Sequence, residues 1–435
     1  MHQTNTLAPP TTTRLTANQI RGFWAAWGGW ALDGMDSFIY ALVLTPAITE
    51  LLPRSGITPT GGNVVFYGTV LLALFMVGWG LSMLWGPFAD RYGRVRALML
   101  TIVCYSVFTF LGGFVTNVWQ LGACRLLAGI GIGGEWSIGG IFVAEEWPED
   151  RRKMGAGYMH TGYYFGFFLA ALANYFIGAR YGWRVLFMFG GVPALLVSFI
   201  RYGVRESARW EQQVAAKRKP PTMAAALAAL FSPKYARRTV LNSLFLLISI
   251  VGLWAGSVHV PTSITQLAAR AGYEAADRAR LSSYGTMVLS AGTILGCIIL
   301  PPLAERFGRR LTMAFYFAVM FLSISIGFGY VFYLSANALT MFFPVLFALG
   351  VGGANFAMYT LWLPEQYSTD CRGSAFAFTT SVGRFAGAGI TFLVGAGVQH
   401  FGTLGTPVAL TSIAFLIGLA LLPFGEETTG LALPT

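Results

Sequence analysis

Gly86-Pro87-Phe88-Ala89-Asp90-Arg91-Tyr92-Gly93-Arg94 follows one long apolar stretch, and Pro301-Pro302-Leu303-Ala304-Glu305-Arg306-Phe307-Gly308-Arg309 follows another. Both carry an acid, an arginine, one further residue, a glycine and an arginine in that order. A tight turn between two membrane helices needs glycine. Arginines belong on the cytoplasmic side, where the acid pairs with them or with a nearby helix N-terminus. A solvated loop obeying only the charge rule would explain the arginines, but not the recurrence of the whole order. A second match lies further along each copy, Glu145 to Arg152 with Glu365 to Arg372. Two matches in the same order imply duplicated halves, and transporters built from internal repeats place their site at the repeat interface.

Around these loops the chain of 435 residues is 55% hydrophobic and 11% charged. Soluble domains carry about 25% charged residues, so this surface suits lipid. A hydrocarbon core about 30 Å thick takes roughly 20 apolar residues per helix. Stretches of that kind cover 22–49, 64–88, 97–116, 118–144, 154–178, 183–203, 239–268, 281–303, 311–333, 338–363, 374–398 and 404–424. The fold class expected is therefore all-α and membrane-spanning, with about twelve helices in two pseudo-symmetric six-helix halves. Residues 1–203 form the N-terminal half, 204–238 a basic cytoplasmic linker and 239–435 the C-terminal half.

With the N-terminus inside, the inner loops collect Arg91, Arg94, Arg96, Arg151, Arg152, Lys153, Arg306, Arg309, Arg310 and nine basic residues from Arg201 to Arg238. The outer side receives Arg54, Arg180, Arg184, Arg270, Arg278 and Arg280. That asymmetry places both termini in the cytoplasm of a cell whose inner (plasma) membrane holds the chain. The net charge of +11 thus sets topology and suits anionic headgroups; no nucleic-acid motif accompanies it. Cys104, Cys124, Cys297 and Cys371 have no paired spacing and read as small apolar residues. The first apolar segment holds two aspartates, so it reads as a span and not as a cleaved signal.

Arg125-Leu126-Leu127-Ala128-Gly129-Ile130-Gly131-Ile132-Gly133-Gly134-Glu135-Trp136 contains Gly-x-Gly-x-x-Gly. A dinucleotide loop needs a preceding strand and an aqueous phosphate site. Here the glycines sit in an apolar helix, where small residues allow close packing. With no metal cluster, nucleophile constellation or cofactor loop in the sequence, an enzyme is not expected. No cofactor is expected either.

Gly86 to Arg96 closely resembles the signature loop of the major facilitator superfamily, which lies at the inter-domain contact there and helps hold the outward-facing state. The resemblance implies gating roles for Asp90, Arg91 and Arg94, with Glu305, Arg306 and Arg309 as second-half counterparts. Glu305 stands where the first copy has aspartate. The Arg125 segment resembles the fourth-helix motif linked in that family to proton coupling. Leu32-Asp33-Gly34-Met35-Asp36 and Gly133-Gly134-Glu135-Trp136 resemble elements of its proton-coupled organic-acid symporters, the aromatic-acid and the sialate or monocarboxylate carriers. The fifth span reads His160-Thr161-Gly162-Tyr163-Tyr164-Phe165-Gly166 and lacks the proline-bearing element typical of the family's drug antiporters.

Few ionisable residues remain inside the spans: Asp33, Asp36, Arg125, Glu135, His160, His259 and Arg384. Charges at that depth cost several kcal/mol and usually face a cavity or a partner. Asp33 and Asp36 lie roughly 17–21 Å into their helix and Arg384 roughly 15 Å into its own, near the midplane. Asp33 and Asp36 share a helical face at i,i+3. Two neighbouring carboxylates out of water hold one proton tightly, which suits a coupling role; the bland reading is a cap at Gly34 or an ion pair with Arg125. Glu135 is a third proton site or a packing residue. It stands about 15 Å from Arg125 along one helix, too far to pair with it. Arg384 replaces Tyr164 in the repeat alignment, so the shared architecture does not require its charge. Its guanidinium can hold a substrate carboxylate through two hydrogen bonds, or neutralise Asp33 or Asp36. His160 is a proton relay or a packing histidine. Tyr163, Tyr164 and Tyr359 are the aromatic residues expected to line a cavity, a phenol offering both a ring and a hydroxyl.

The expected function is proton-coupled import of a small organic anion, a monocarboxylate or aromatic acid, by alternating access in a monomer surrounded by lipid. A sugar or polyol carrier and a drug-type proton antiporter are the alternatives. The topology has a direct test. Single cysteines at Thr58 and Ala276 are expected to react with an impermeant maleimide from outside, whereas Lys217→Cys stays protected. The reverse pattern overturns the orientation.

Overall fold

The structure, a computed structural model, describes residues 14–85, 88, 92–195, 203, 205, 228–252, 256–367, 369–431 and 434. Asp90, Arg91, the side chain of Arg94 and most of the linker lie outside them. Backbone N–H and C=O groups facing lipid must be satisfied within their own segment, which helices do. Among the described residues nine helices are long and apolar enough to cross a membrane, and there is no strand. The first half comprises α1 (Ala17–Arg54), α2 (Gly61–Leu81), α3 (Arg94–Gly112), α4 (Val118–Glu146), α5 (Glu149–Ala173) and α6 (Trp183–Phe189). The second comprises α7 (Ala236–Gly252), α8 (Val260–Arg270), α9 (Ala275–Phe307), α10 (Arg309–Gly329), α11 (Ala338–Gly353), α12 (Thr369–Phe401), α13 (Gly405–Leu410) and α14 (Ile413–Leu421). Each of the twelve expected segments has a helical counterpart, the seventh as α7 and α8 and the twelfth as α13 and α14.

Thr16 starts α1 with a capping box, its hydroxyl and backbone exchanging bonds with Gln19. The turns before α3 and α10 depend on Gly93 and Gly308, at φ 108° and 87°. Side chains avoid that left-handed region, so the glycines shared by the two loop motifs start equivalent helices.

The helix seams repeat between halves. Within the first half α1 packs on α5, α2 on α4 and α3 on α4; within the second α7 packs on α12, α9 on α11 and α10 on α11. The halves meet where α2 lies on α12 and α5 on α9, two seams that a twofold exchange of the repeats interchanges. Asn174, in a wider helical turn extending α5, donates across the second seam to the Ser283 hydroxyl at 3.0 Å and the Ala279 carbonyl at 3.4 Å. Gln399 donates to Asn63 at 3.4 Å across the first seam.

At the end of the bundle carrying the termini, Arg309 is fully buried. It donates to both oxygens of Glu365 (3.0 and 2.8 Å), to Glu305 at 3.0 Å and to the Ala304 carbonyl at 2.8 Å. Glu427 accepts from the backbone N–H groups of Arg309 and Arg310, at 2.9 and 3.2 Å, and caps α10. Arg306 is exposed, its guanidinium 5.4 Å from the ring centre of neighbouring Phe307.

Glycine lets α1 and α5 touch backbone to backbone. A side-chain carbon at Gly34 would collide with the Tyr163 carbonyl, and one at Gly166 with the Ala31 carbonyl and the Met35 nitrogen. This closeness sets the turn of α1 that carries Asp33 and Asp36 against the Tyr163 backbone of α5. Gly166→Ala is therefore expected to lower thermal stability in detergent, an overpacked methyl costing about 1–3 kcal/mol. Gly140→Ala meets open space and is expected to leave it unchanged or raise it. Equal melting temperatures for all three proteins would contradict the seam.

Candidate functional site

Asp36 and Arg125 face each other between α1 and α4, both buried, with Nη1 3.7 Å from Oδ2. Arg125 also donates to the Thr109 hydroxyl at 2.8 Å and lies over the rings of Phe187 and Tyr40, at 5.1 and 5.9 Å. Tyr40 in turn donates to the Gly68 carbonyl of α2 at 2.8 Å. Arg125 is thus set by an acid, a hydroxyl and two rings.

Asp33 lies one turn earlier on the same face, also buried. Neither of its oxygens has a hydrogen-bond partner among the described residues. Glu135 approaches from α4 and occupies the space left by Gly29, where any side chain would collide with its Oε1. Its Oε2 accepts from Thr101 at 3.2 Å, while Oε1 is unpartnered among the described residues. Asp33 and Glu135 therefore form a second acidic locus with no cation paired to it there. A carboxylate in such surroundings bears charge only at high cost, so each is suited to holding and releasing a proton.

Arg384, in α12, is 3% exposed. Among the described residues it forms no ion pair with Asp33 or Asp36, and its Nη2 has no hydrogen-bond partner. Its guanidinium lies over two first-half indoles, 4.3 Å from the Trp79 ring centre and 5.2 Å from that of Trp136. Such cation–π contacts hold a desolvated cation by about 2 kcal/mol and leave its N–H donors available in the ring plane.

Around Trp136 the rings continue. Trp30 stacks on it at 5.7 Å and Tyr163 stacks on Trp30 at 4.6 Å. Phe376 and Phe356 approach Trp136 from the second half, at 4.7 and 5.5 Å. His160 is buried beside Trp30, Trp136, Tyr164 and Phe356. The Tyr163 hydroxyl has no partner among the described residues. Tyr164 donates to the Gly353 carbonyl at 3.1 Å, and Tyr359 shares a 2.8 Å bond with Ser249. Those two hydroxyls are engaged in holding helices. Gly353 ends α11 where the backbone tightens into a single 3-10 turn, Ala354–Ala357. Interruptions of that kind mark substrate sites in repeat-built transporters.

The site thus gathers Asp33, Asp36, Arg125, Glu135, His160, Tyr163 and Arg384. The second-half loop residues stand apart from it, at the end carrying the termini. Trp79, Phe356, Phe376, Thr101 and Thr109 were not singled out by the sequence. Aromatic residues are 15% of the chain, so no single ring stands out. Trp79 had one usable signal, standing one turn before Ser82 at the end of α2.

A profile of the Major Facilitator Superfamily matches residues 26–391. The "Probable 4-methylmuconolactone transporter" of Cupriavidus pinatubonensis is 32% identical over 427 residues, covering 95% of this chain and 92% of that one. The niacin transporter NiaP of Acinetobacter baylyi is 26% identical over 441 residues, covering 94% of each. The xylose transporter XylE from E. coli, solved in a partially occluded inward-open conformation, shares the fold with a TM-score of 0.74. It does so at 17% identity, over 96% of this chain and 100% of that one. With the family profile spanning most of the sequence and the helix seams repeating between its halves, the chain belongs to the Major Facilitator Superfamily, a family of membrane transporters and not of enzymes.

Proposed function

We propose that this transporter imports a small organic anion, a monocarboxylate or an aromatic acid, together with protons, by alternating access between its halves. The observation that carries the reading is Arg384, a buried arginine on the second half with no acid paired to it among the described residues, resting on indoles of the first half. A lone guanidinium out of water is costly, and a substrate carboxylate supplies the missing anion through two parallel hydrogen bonds. Trp79 and Trp136 hold the planar fork in place and orient its donors. Binding then ties the two halves through one ligand. Two relatives are named for niacin and for a muconolactone, small ring compounds that agree with such a site.

Protons enter at Asp33 and Glu135. Asp36 is held by Arg125 and serves as a fixed counter-charge, so the three acids divide the work. A proton carried with an anion cancels charge on the moving species, which lowers the cost of crossing a low-dielectric interior. The paired loop motifs, Asp90, Arg91 and Arg94 with Glu305, Arg306 and Arg309, gate the end carrying the termini, which we place in the cytoplasm.

The anchor is tested by direct binding in detergent, which separates recognition from coupling. Arg384→Gln is expected to weaken binding of a transported acid by at least about 30-fold, since an unmatched buried charge costs on the order of 2–5 kcal/mol. Arg384→Lys keeps the charge but loses the fork, so affinity still falls markedly. Wild-type affinity in Arg384→Gln would defeat the anchor, and displacement by uncharged sugars would favour a sugar carrier.

Coupling is tested in vesicles. Asp33→Asn is expected to abolish proton-driven accumulation while substrate exchange at equal pH persists, with Glu135→Gln weaker in the same direction. Undiminished uphill transport in both variants removes the pair from coupling.

A further inference from the structure

We infer that His160 is a second recognition point of the substrate site, reading a polar substituent on a ring-bearing carboxylate whose charged end sits at Arg384. This rests on the reading of Arg384 as the anion anchor. His160 is 1% exposed, and neither Nδ1 nor Nε2 has a hydrogen-bond partner among the described residues. A buried imidazole with both nitrogens unmet is costly, and such groups are rare unless something else meets them.

Its surroundings say what would. The ring centres of Trp30, Trp136 and Phe356 lie 6.0 Å away and that of Tyr164 lies 5.8 Å away. Three of these rings come from the first half and Phe356 from the interrupted helix of the second. Trp136 is the shared wall, because the Arg384 guanidinium stands 5.2 Å from the same indole. A cation and an imidazole against one indole, among flat rings, select a flat ligand with a carboxylate at one end and a hydrogen-bonding group at the other. Neutral imidazole offers one donor and one acceptor, which suits a phenolic hydroxyl or a ring nitrogen. An aliphatic acid would satisfy Arg384 but neither the rings nor His160.

The same geometry argues against a proton relay at this residue. A relay needs neighbouring groups that pass the proton on. The rings around His160 are apolar on their faces, and the Tyr164 hydroxyl is turned to the Gly353 carbonyl.

The test is calorimetric titration of the full-length protein in detergent with benzoate, the three monohydroxybenzoates and nicotinate. At least one substituted acid is expected to bind wild type about 10- to 100-fold tighter than benzoate, the scale of satisfying a buried polar group. His160→Phe is expected to bring that ratio within about 3-fold, and His160→Gln, which keeps a donor and an acceptor, to retain part of it. A ratio unchanged in His160→Phe overturns the assignment, as does an equal loss for every ligand, which would mean a structural role. Loss of uphill transport with the ratio intact would return His160 to relay duty and overturn it too. Wild type that prefers benzoate sinks the His160 reading alone. Binding of none of the acids sinks both this and the Arg384 reading. Benzoate binding that survives Arg384→Gln sinks the anchor, while the ratio still reports on His160.

Discussion

Inside the hydrocarbon layer water cannot solvate an ionised side chain, so each charge there must be met by another group or go unionised. The interior of this bundle is arranged around that cost. Arg125 and Asp36 attract each other at 3.7 Å by about 4 kcal/mol in an intermediate dielectric. The desolvation of two ions is of similar size or larger, so the pair adds little net stability. Its effect is to fix geometry: removing one partner would strand the other, at about 3–5 kcal/mol. Arg384, by contrast, is met by two indoles at a fraction of that energy. The difference separates a side chain that holds the first half together from one left chemically open at the seam.

The seam itself is held by modest forces. Among the described residues the polar bonds across it are few and neutral: Tyr164 to the Gly353 carbonyl, Asn174 to Ser283 and Ala279, Tyr284 to the Tyr175 hydroxyl, Thr391 to the Met76 sulfur, and Gln399 to Asn63. Single neutral hydrogen bonds contribute about 0.5–1.5 kcal/mol net, a scale at which two arrangements of the halves can stay within reach of each other. Inside the second half a charged knot is stiffer. Buried Arg309 locks α9, α10 and the segment after α11 through Glu305, Glu365 and the Ala304 carbonyl.

Spans and the internal repeat were legible in the sequence because lipid forces long apolar runs and because charge is rare enough to be conspicuous. Asp33, Asp36, Arg125, Glu135 and Arg384 announced themselves for the same reason. Their partners did not. Asp36 and Asp33 are chemically identical and three residues apart, and which one meets Arg125 depends on how α4 turns against α1. The indoles around Arg384 were hidden by the abundance of aromatic residues, since an apolar ring fits a lipid-facing and a site-facing position equally well by composition. Asn174 is uncharged and lies at a helix end, so nothing in its neighbourhood pointed across to α9. The tight turn after Gly353 had only the Gly352-Gly353 pair to mark it, which close helix packing explains equally well. Rarity made the charges visible; the three-dimensional meeting of common residues did not show.

Glycine at the crossing of α1 and α5 limits how this chain can drift. Lipid tails are as apolar as leucine, so swapping one large apolar side chain for another on the outer surface changes little. Positions such as Gly34 and Gly166, where backbones touch, have no such freedom. This chain can therefore exchange outward residues while Gly34 and Gly166 hold α1 and α5 in place. Shape at this crossing is carried by where side chains are missing.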